Sequence, residues 1–115
     1  MKIEKFEDII GWQKAKALSI GVYTSFRLLK DYGFKDQIQR ASVSVMNNIA
    51  EGYERRGDKE FKKFLFIAKG SVGEVRSMLD LAFELKYISK NSFVLLYKES
   101  MEISRILSGL IKSLE

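Results

Sequence analysis

Cysteine, histidine and proline are all missing from this 115-residue chain. Without cysteine there is no disulfide framework, and without either Cys or His there is no Cys/His zinc site and no Ser-His-Asp or Cys-His machinery. A di-iron site of the helical-bundle type takes Glu from two helices and Glu-x-x-His from two more, so Glu51 and Glu74 alone do not complete one. No stretch approaches the ~18 apolar residues of a membrane-spanning helix. The opening, Met1-Lys2-Ile3-Glu4-Lys5-Phe6-Glu7-Asp8, carries charge where a signal peptide would carry an apolar core, so the expected compartment is the cytoplasm. Gly70-Ser71-Val72-Gly73 lacks the spacing of a phosphate-binding loop. No metal, cofactor or enzyme activity is expected.

The absence of proline also shapes the fold. Proline breaks a helix interior at a cost of ~3 kcal/mol, so a chain without it suits long helices. Apolar spacing agrees. Phe61, Leu65, Ala68, Val72, Val75, Leu79 and Ala82 recur in steps of three and four, as do Phe93, Leu96, Ser100, Ile103, Leu107, Leu110 and Leu114. Weaker stripes run through Ile38, Ala41, Val45, Asn48 and Gly52, and through Trp12, Ala15, Ser19, Val22, Phe26 and Leu29. These are the seams of helices packed at shallow angles.

Gly33 fits a left-handed helix end, Gly57-Asp58 a second break with Asp58 as the following cap, and Ser89 a cap for the last helix. Short connections favour antiparallel neighbours. The expectation is one domain over 1–115, an all-α up-down-up-down four-helix bundle with helices over about 7–31, 35–56, 58–87 and 90–114. Glycines 11, 21, 52, 70, 73 and 109 fall inside these helices, where close backbone approach is expected to offset their cost.

Charged residues make up 30% of the chain and sum to +5, spread along it rather than held in a tail. Arg55, Arg56, Lys59, Lys62 and Lys63 cluster around the second connection, among Glu54, Asp58 and Glu60. Such a loop fits either phosphate contact, with Lys14 and Lys16 as lesser candidates, or an ordinary solvated surface. Arg40, Asn48, Glu51, Ser71 and Glu74 form a candidate structural polar network, with Glu51 and Glu74 pointing inward and Arg40 reaching Glu74 across the second and third helices. Apolar residues exceed one stripe per helix: positions 64–68 are apolar nearly all round, Leu95-Leu96-Tyr97 thicken the fourth stripe, and Ile9, Ile10, Leu18 and Ile20 lie off the first. The surplus predicts self-association.

Several motifs carry a resemblance: Trp12-Gln13-Lys14-Ala15, Tyr32-Gly33-Phe34-x-x-Gln37-Ile38-x-Arg40-Ala41, Asn48-Ile49-Ala50-Glu51-Gly52, and Phe61-x-x-Phe64-Leu65-x-x-Ala68-x-Gly70-Ser71-x-x-Glu74. Together they resemble the four helix bundle proteins encoded in intervening sequences of bacterial 23S rRNA genes, a family also labelled S23 ribosomal protein. The fold is similar to the accessory protein of diversity-generating retroelements. The resemblance implies a homopentamer with no enzyme activity, and RNA, DNA or another protein, such as a reverse-transcriptase-like partner, bound to its surface. Two positions depart from the family pattern: Phe26-Arg27 stands where Phe-Pro is usual, and Gln39-Arg40 where paired arginines are common.

Overall fold

The computed structural model describes residues 3–115. A short 3-10 turn, Phe6–Asp8, precedes four helices: α1 (Ile10–Phe26), α2 (Tyr32–Glu54), α3 (Asp58–Glu84) and α4 (Lys90–Ser113). There are no strands among the described residues. The molecule measures 42 × 22 × 19 Å. Helix α1 packs on α2, α2 on α3, α3 on α4, and α4 returns to α1. Gln37 meets Glu74, Ser44 meets Ser71 and Tyr53 meets Phe61, so partners descend along α3 as they ascend along α2.

Helix ends follow side-chain chemistry more than glycine placement. Helix α1 stops at Phe26, and Gly33 lies inside the first turn of α2, not at a left-handed stop. The reason is Asp31, whose Oδ1 accepts the Phe34 N–H at 3.1 Å and starts α2 three residues earlier than expected. Gly57 precedes α3 at φ 107°, a conformation L side chains resist, and Asp58 is the first helical residue rather than the cap. Its carboxylate still complements the helix dipole. At the far end of α3, Lys86 occupies the left-handed region at φ 62°. The Lys86 N–H donates to Phe83 O and the Tyr87 N–H to Ala82 O, the paired bonds of a Schellman end. Ser89 caps α4, accepting from the Ser92 N–H.

The seams face inward. Leu65, Ala68, Val72, Val75, Leu79 and Ala82 of α3 are buried, as are Leu96, Ser100, Ile103 and Leu107 of α4. Off-seam residues Ile9, Leu18, Ile49, Met78 and Ile111 widen the core. Each fully buried Leu or Ile contributes ~1.5–3 kcal/mol relative to exposure. Two ring clusters close the ends: Phe26, Phe34 and Tyr87 at one, Tyr53 and Phe61 at the other.

The glycines divide. A Cβ on Gly52 would come within 2.6 Å of Phe64 Cβ, and one on Gly21 within 2.7 Å of Leu96 Cδ2, so these allow close helix approach. Gly70, Gly73 and Gly109 have nothing within 4 Å, which corrects the expectation that all the helical glycines serve packing.

Candidate functional site

Helix α2 carries most of the predicted polar network, and its outward face decides the outcome. Asn48 donates to Ser44 O and Ser44 Oγ, and Ser44 Oγ shares a 2.9 Å hydrogen bond with Ser71 Oγ across to α3. Arg40 does not reach Glu74. It pairs with Asp36 at 2.8 Å, both side chains more than 60% exposed. Glu51 is exposed and pairs with Arg55 at 2.8 Å, and Glu74 is exposed, accepting only a long 3.4 Å bond from Gln37. The expected Arg40–Glu74 pair and inward carboxylates are therefore corrected. Both charged pairs that form are one helical turn apart and remain in water, avoiding the desolvation a buried pair would suffer.

The predicted basic cluster lies at the end of the molecule where α2 turns into α3. Arg55 is held by Glu51 and, at 3.7 Å, by Glu60, with its guanidinium 5.0 Å from the Phe64 ring centre. Lys62 lies 4.0 Å from Glu115. Arg56, Lys59 and Lys63 are exposed and have no ion pair among the described residues. A cleft of about 540 Å³ opens here, lined by Glu4, Tyr53, Glu54, Arg55, Arg56, Gly57, Asp58 and Phe61. Residues 51–63 hold five basic and four acidic side chains, and residues 3–8, packed against the same end, add three acidic and one basic. The positive excess read along the loop is thus cancelled by the chain start folded onto it. Lys14 and Lys16 stand elsewhere, on α1: Lys14 pairs with Glu102 at 3.2 Å, and Lys16 lies 5.6 Å from the Trp12 ring centre.

The opposite end carries a cluster that no single stretch of the sequence shows. Tyr87 Oη donates to Asp31 Oδ2 at 2.8 Å, tying the loop between α3 and α4 to the turn between α1 and α2. That tie gathers Arg27, Lys30 and Lys35 with Lys86 and Lys90, none in an ion pair among the described residues. Residues 27–36 and 84–90 contain five basic and three acidic side chains. Two of those acids are occupied: Asp31 caps α2 and accepts from Tyr87, and Asp36 holds Arg40. The Tyr87 hydroxyl and then the Phe34 N–H lower the Asp31 pKa, so its carboxylate stays charged in this lock, while the same bond raises the Tyr87 pKa. Lys35 Nζ donates to Arg27 O and lies 5.0 Å from the Tyr32 ring centre. Leu28 (82% exposed) and Tyr32 (67%) project from the turn. The antiparallel order expected from the sequence already sets the first and third connections at one end, and adding their charges would have shown the cluster.

The flanks differ from the ends. Ile10, Ile20 and Tyr23 on α1, Phe66, Ile67 and Leu81 on α3, and Val94, Leu95 and Met101 on α4 are exposed. Helix α2 shows Asp36, Arg40, Asn47, Glu51 and Glu54 instead. A shallow cavity of about 410 Å³ lies over α2 between Tyr23 and Arg40, Val43, Ser44, Asn47 and Asn48, and neither Glu51 nor Glu74 lines it. A smaller one of about 90 Å³ lies among Lys14, Ala17, Glu99 and Glu102, where burial and then the Glu102 charge raise the Glu99 pKa against the pull of Lys14. Among the described residues, no three acidic side chains group closely enough to hold a metal ion, and no helix is long and apolar enough to cross a membrane.

The sequence model of one family, described as 23S rRNA-intervening sequence protein, matches residues 7–109. A crystal structure of a protein with unknown function from the S23 ribosomal protein family of Bacteroides thetaiotaomicron is similar in fold, with a TM-score of 0.82 at 22% identity. The similarity covers 90% of this chain and 96% of that one. No curated protein matches the chain in sequence.

Proposed function

The chain belongs to the 23S rRNA-intervening sequence protein family, and from that premise we propose that it is a non-enzymatic, self-assembling module whose basic surface holds nucleic acid. The unit is the up-down-up-down bundle, and five copies is the number the resemblance implies. One observation carries the assembly: large apolar side chains stand exposed on α1, α3 and α4, while the outward face of α2 is charged. Nine such side chains stand on three flanks, and covering them with further copies would remove that apolar surface from water. The nucleic-acid reading is supported by a net charge of +5 and by exposed cations that no carboxylate among the described residues engages, including Arg27, Lys30, Lys86 and Lys90. Contacts of that kind weaken steeply with salt and carry little sequence preference.

Two measurements test the reading. Ile67→Glu combined with Leu95→Glu is expected to reduce the assembly to the 13.3 kDa chain in sedimentation velocity. An unchanged mass would place the interface elsewhere. Titration of labelled RNA and DNA at low salt is expected to show binding that fades as salt rises. Failure of both to bind, with protein partners surviving nuclease treatment in a pull-down, would favour a polypeptide-docking scaffold.

A further inference from the structure

We infer that the end of the bundle built from the α1–α2 turn and the α3–α4 loop is a binding site for single-stranded nucleic acid, with Arg27, Lys30, Lys35, Lys86 and Lys90 engaging phosphates and Tyr32 stacking on a base. The inference rests on the nucleic-acid reading above and gives it a place, at the end opposite to the basic loop seen in sequence.

Three independent features lead there. The first is charge that is free to act. At the α2–α3 end Arg55 and Lys62 are already paired. Arg56, Lys59 and Lys63 have no ion pair among the described residues, but the carboxylates of residues 51–63 and 3–8 outnumber the cations there. At the α1–α2 end five cations stand in no ion pair among the described residues, and Asp31 and Asp36 are engaged by other partners. Phosphate neutralisation depends on cations that do not first have to leave a carboxylate.

The second is shape. Tyr32 is 67% exposed and Leu28 82% exposed, so an aromatic and an aliphatic side chain stand in solvent on the turn that also carries Arg27, Lys30 and Lys35. A flexible strand can wrap around them and lay a base on the ring, a contact that is tolerant of sequence. Lys35 Nζ lies over one face of the Tyr32 ring, 5.0 Å from its centre, so a base would stack on the opposite face.

The third is strain. Lys86 is a non-glycine residue at positive φ, in the Schellman position that glycine usually fills. At the α2–α3 end the positive-φ residue is Gly57, in the φ 107°, ψ 143° conformation that precedes α3 rather than at a Schellman end. A lysine held in a disfavoured conformation is explained when its charge is needed at that spot.

The test is fluorescence anisotropy with a labelled oligouridylate of about 12 nucleotides, titrated between about 50 and 200 mM salt. Five engaged phosphates give a slope of log affinity against log salt of about −3.5, and two give about −1.4, at ~0.7 per contact for a single strand. Lys30→Gln, Lys86→Gln and Lys90→Gln combined should move the slope from the first value to the second. Tyr32→Ala should weaken binding at least ~5-fold at fixed salt while Tyr32→Phe retains it, the loss of one stacked base. Arg56→Gln, Lys59→Gln and Lys63→Gln combined should leave slope and affinity near those of the unaltered protein. If that second triple loses binding and the first does not, the site is at the α2–α3 end: the placement is overturned and the nucleic-acid reading stands. If the unaltered protein binds no RNA at 50 mM salt, both fail. If the first triple loses only binding to vesicles of phosphatidylserine and phosphatidylcholine, the end is a lipid-facing surface and the inference is overturned. All variants change exposed side chains, and circular dichroism and assembly mass confirm that they remain folded.

Discussion

The two ends of this bundle turn the chain with different residues in different backbone conformations. At the α2–α3 end Gly57 stands ahead of α3 at φ 107°, ψ 143°, and at the α3–α4 end Lys86 takes the left-handed position that ends α3. The first end is made close: Gly52 admits Phe64 and Phe61 against α2, and the charges cancel. The second is closed by an aromatic cluster and an Asp31–Tyr87 lock, and its charges do not cancel. The location of net charge is thus a property of the folded end rather than of a stretch of sequence.

The comparison breaks most severely if the ends are not closed as described. Phe26→Ala, which empties a fully buried ring at the Lys86 end, should cost ~3–5 kcal/mol in chemical denaturation. Gly52→Ala, which forces a Cβ against Phe64 at the other end, should cost ~1–3 kcal/mol. A neutral Gly52→Ala would show that the helices there are further apart. Next in size, Lys86→Gly should raise stability by about 1 kcal/mol as the left-handed strain is removed, while weakening RNA binding. A variant with both properties unchanged would remove the contrast between the ends.

Smaller still are Arg40→Ala and Glu51→Ala, each expected to shift stability by no more than about 0.5 kcal/mol, because their ion pairs are solvent-exposed. Between the ends, Glu99→Gln should stabilise slightly at neutral pH, by no more than about 0.5 kcal/mol after solvent screening. The sign follows from a folded-state pKa that is raised: the charged form is disfavoured on folding, so the penalty is present above that pKa and fades as pH falls through it. Urea unfolding at pH 7 and at pH 4 should therefore show the advantage of the variant at the higher pH alone.

Much of the fold was legible because burial follows period. The seam from Leu65 to Ala82 required only the alternation of threes and fours, and each of its members is buried. The start of α2 was misplaced because Gly33 is a strong local signal, whereas Asp31 acts through its Phe34 hydrogen bond. The inward placement of Glu51 and the Arg40–Glu74 pair followed from helical spacing alone, which says that residues share a face but not which face is wet. Asp36 and Arg55, one turn away, offered local partners that kept both charges in solvent. The apolar surplus was counted correctly but not sorted: Ile9 and Leu18 joined the core, whereas Ile10, Ile20, Phe66 and Leu95 remained outside. The cationic end was implicit in the antiparallel order, which brings the first and third connections together, while the Tyr87–Asp31 bond that ties them has no signal in the sequence.

All of the proposed work presumes that the exposed flanks are covered by further copies of the chain. Multi-angle light scattering on the unaltered protein at micromolar concentration tests this directly. The account predicts a single species at several times 13.3 kDa, five times by the family resemblance; a homogeneous 13.3 kDa particle that stays so on concentration would contradict it.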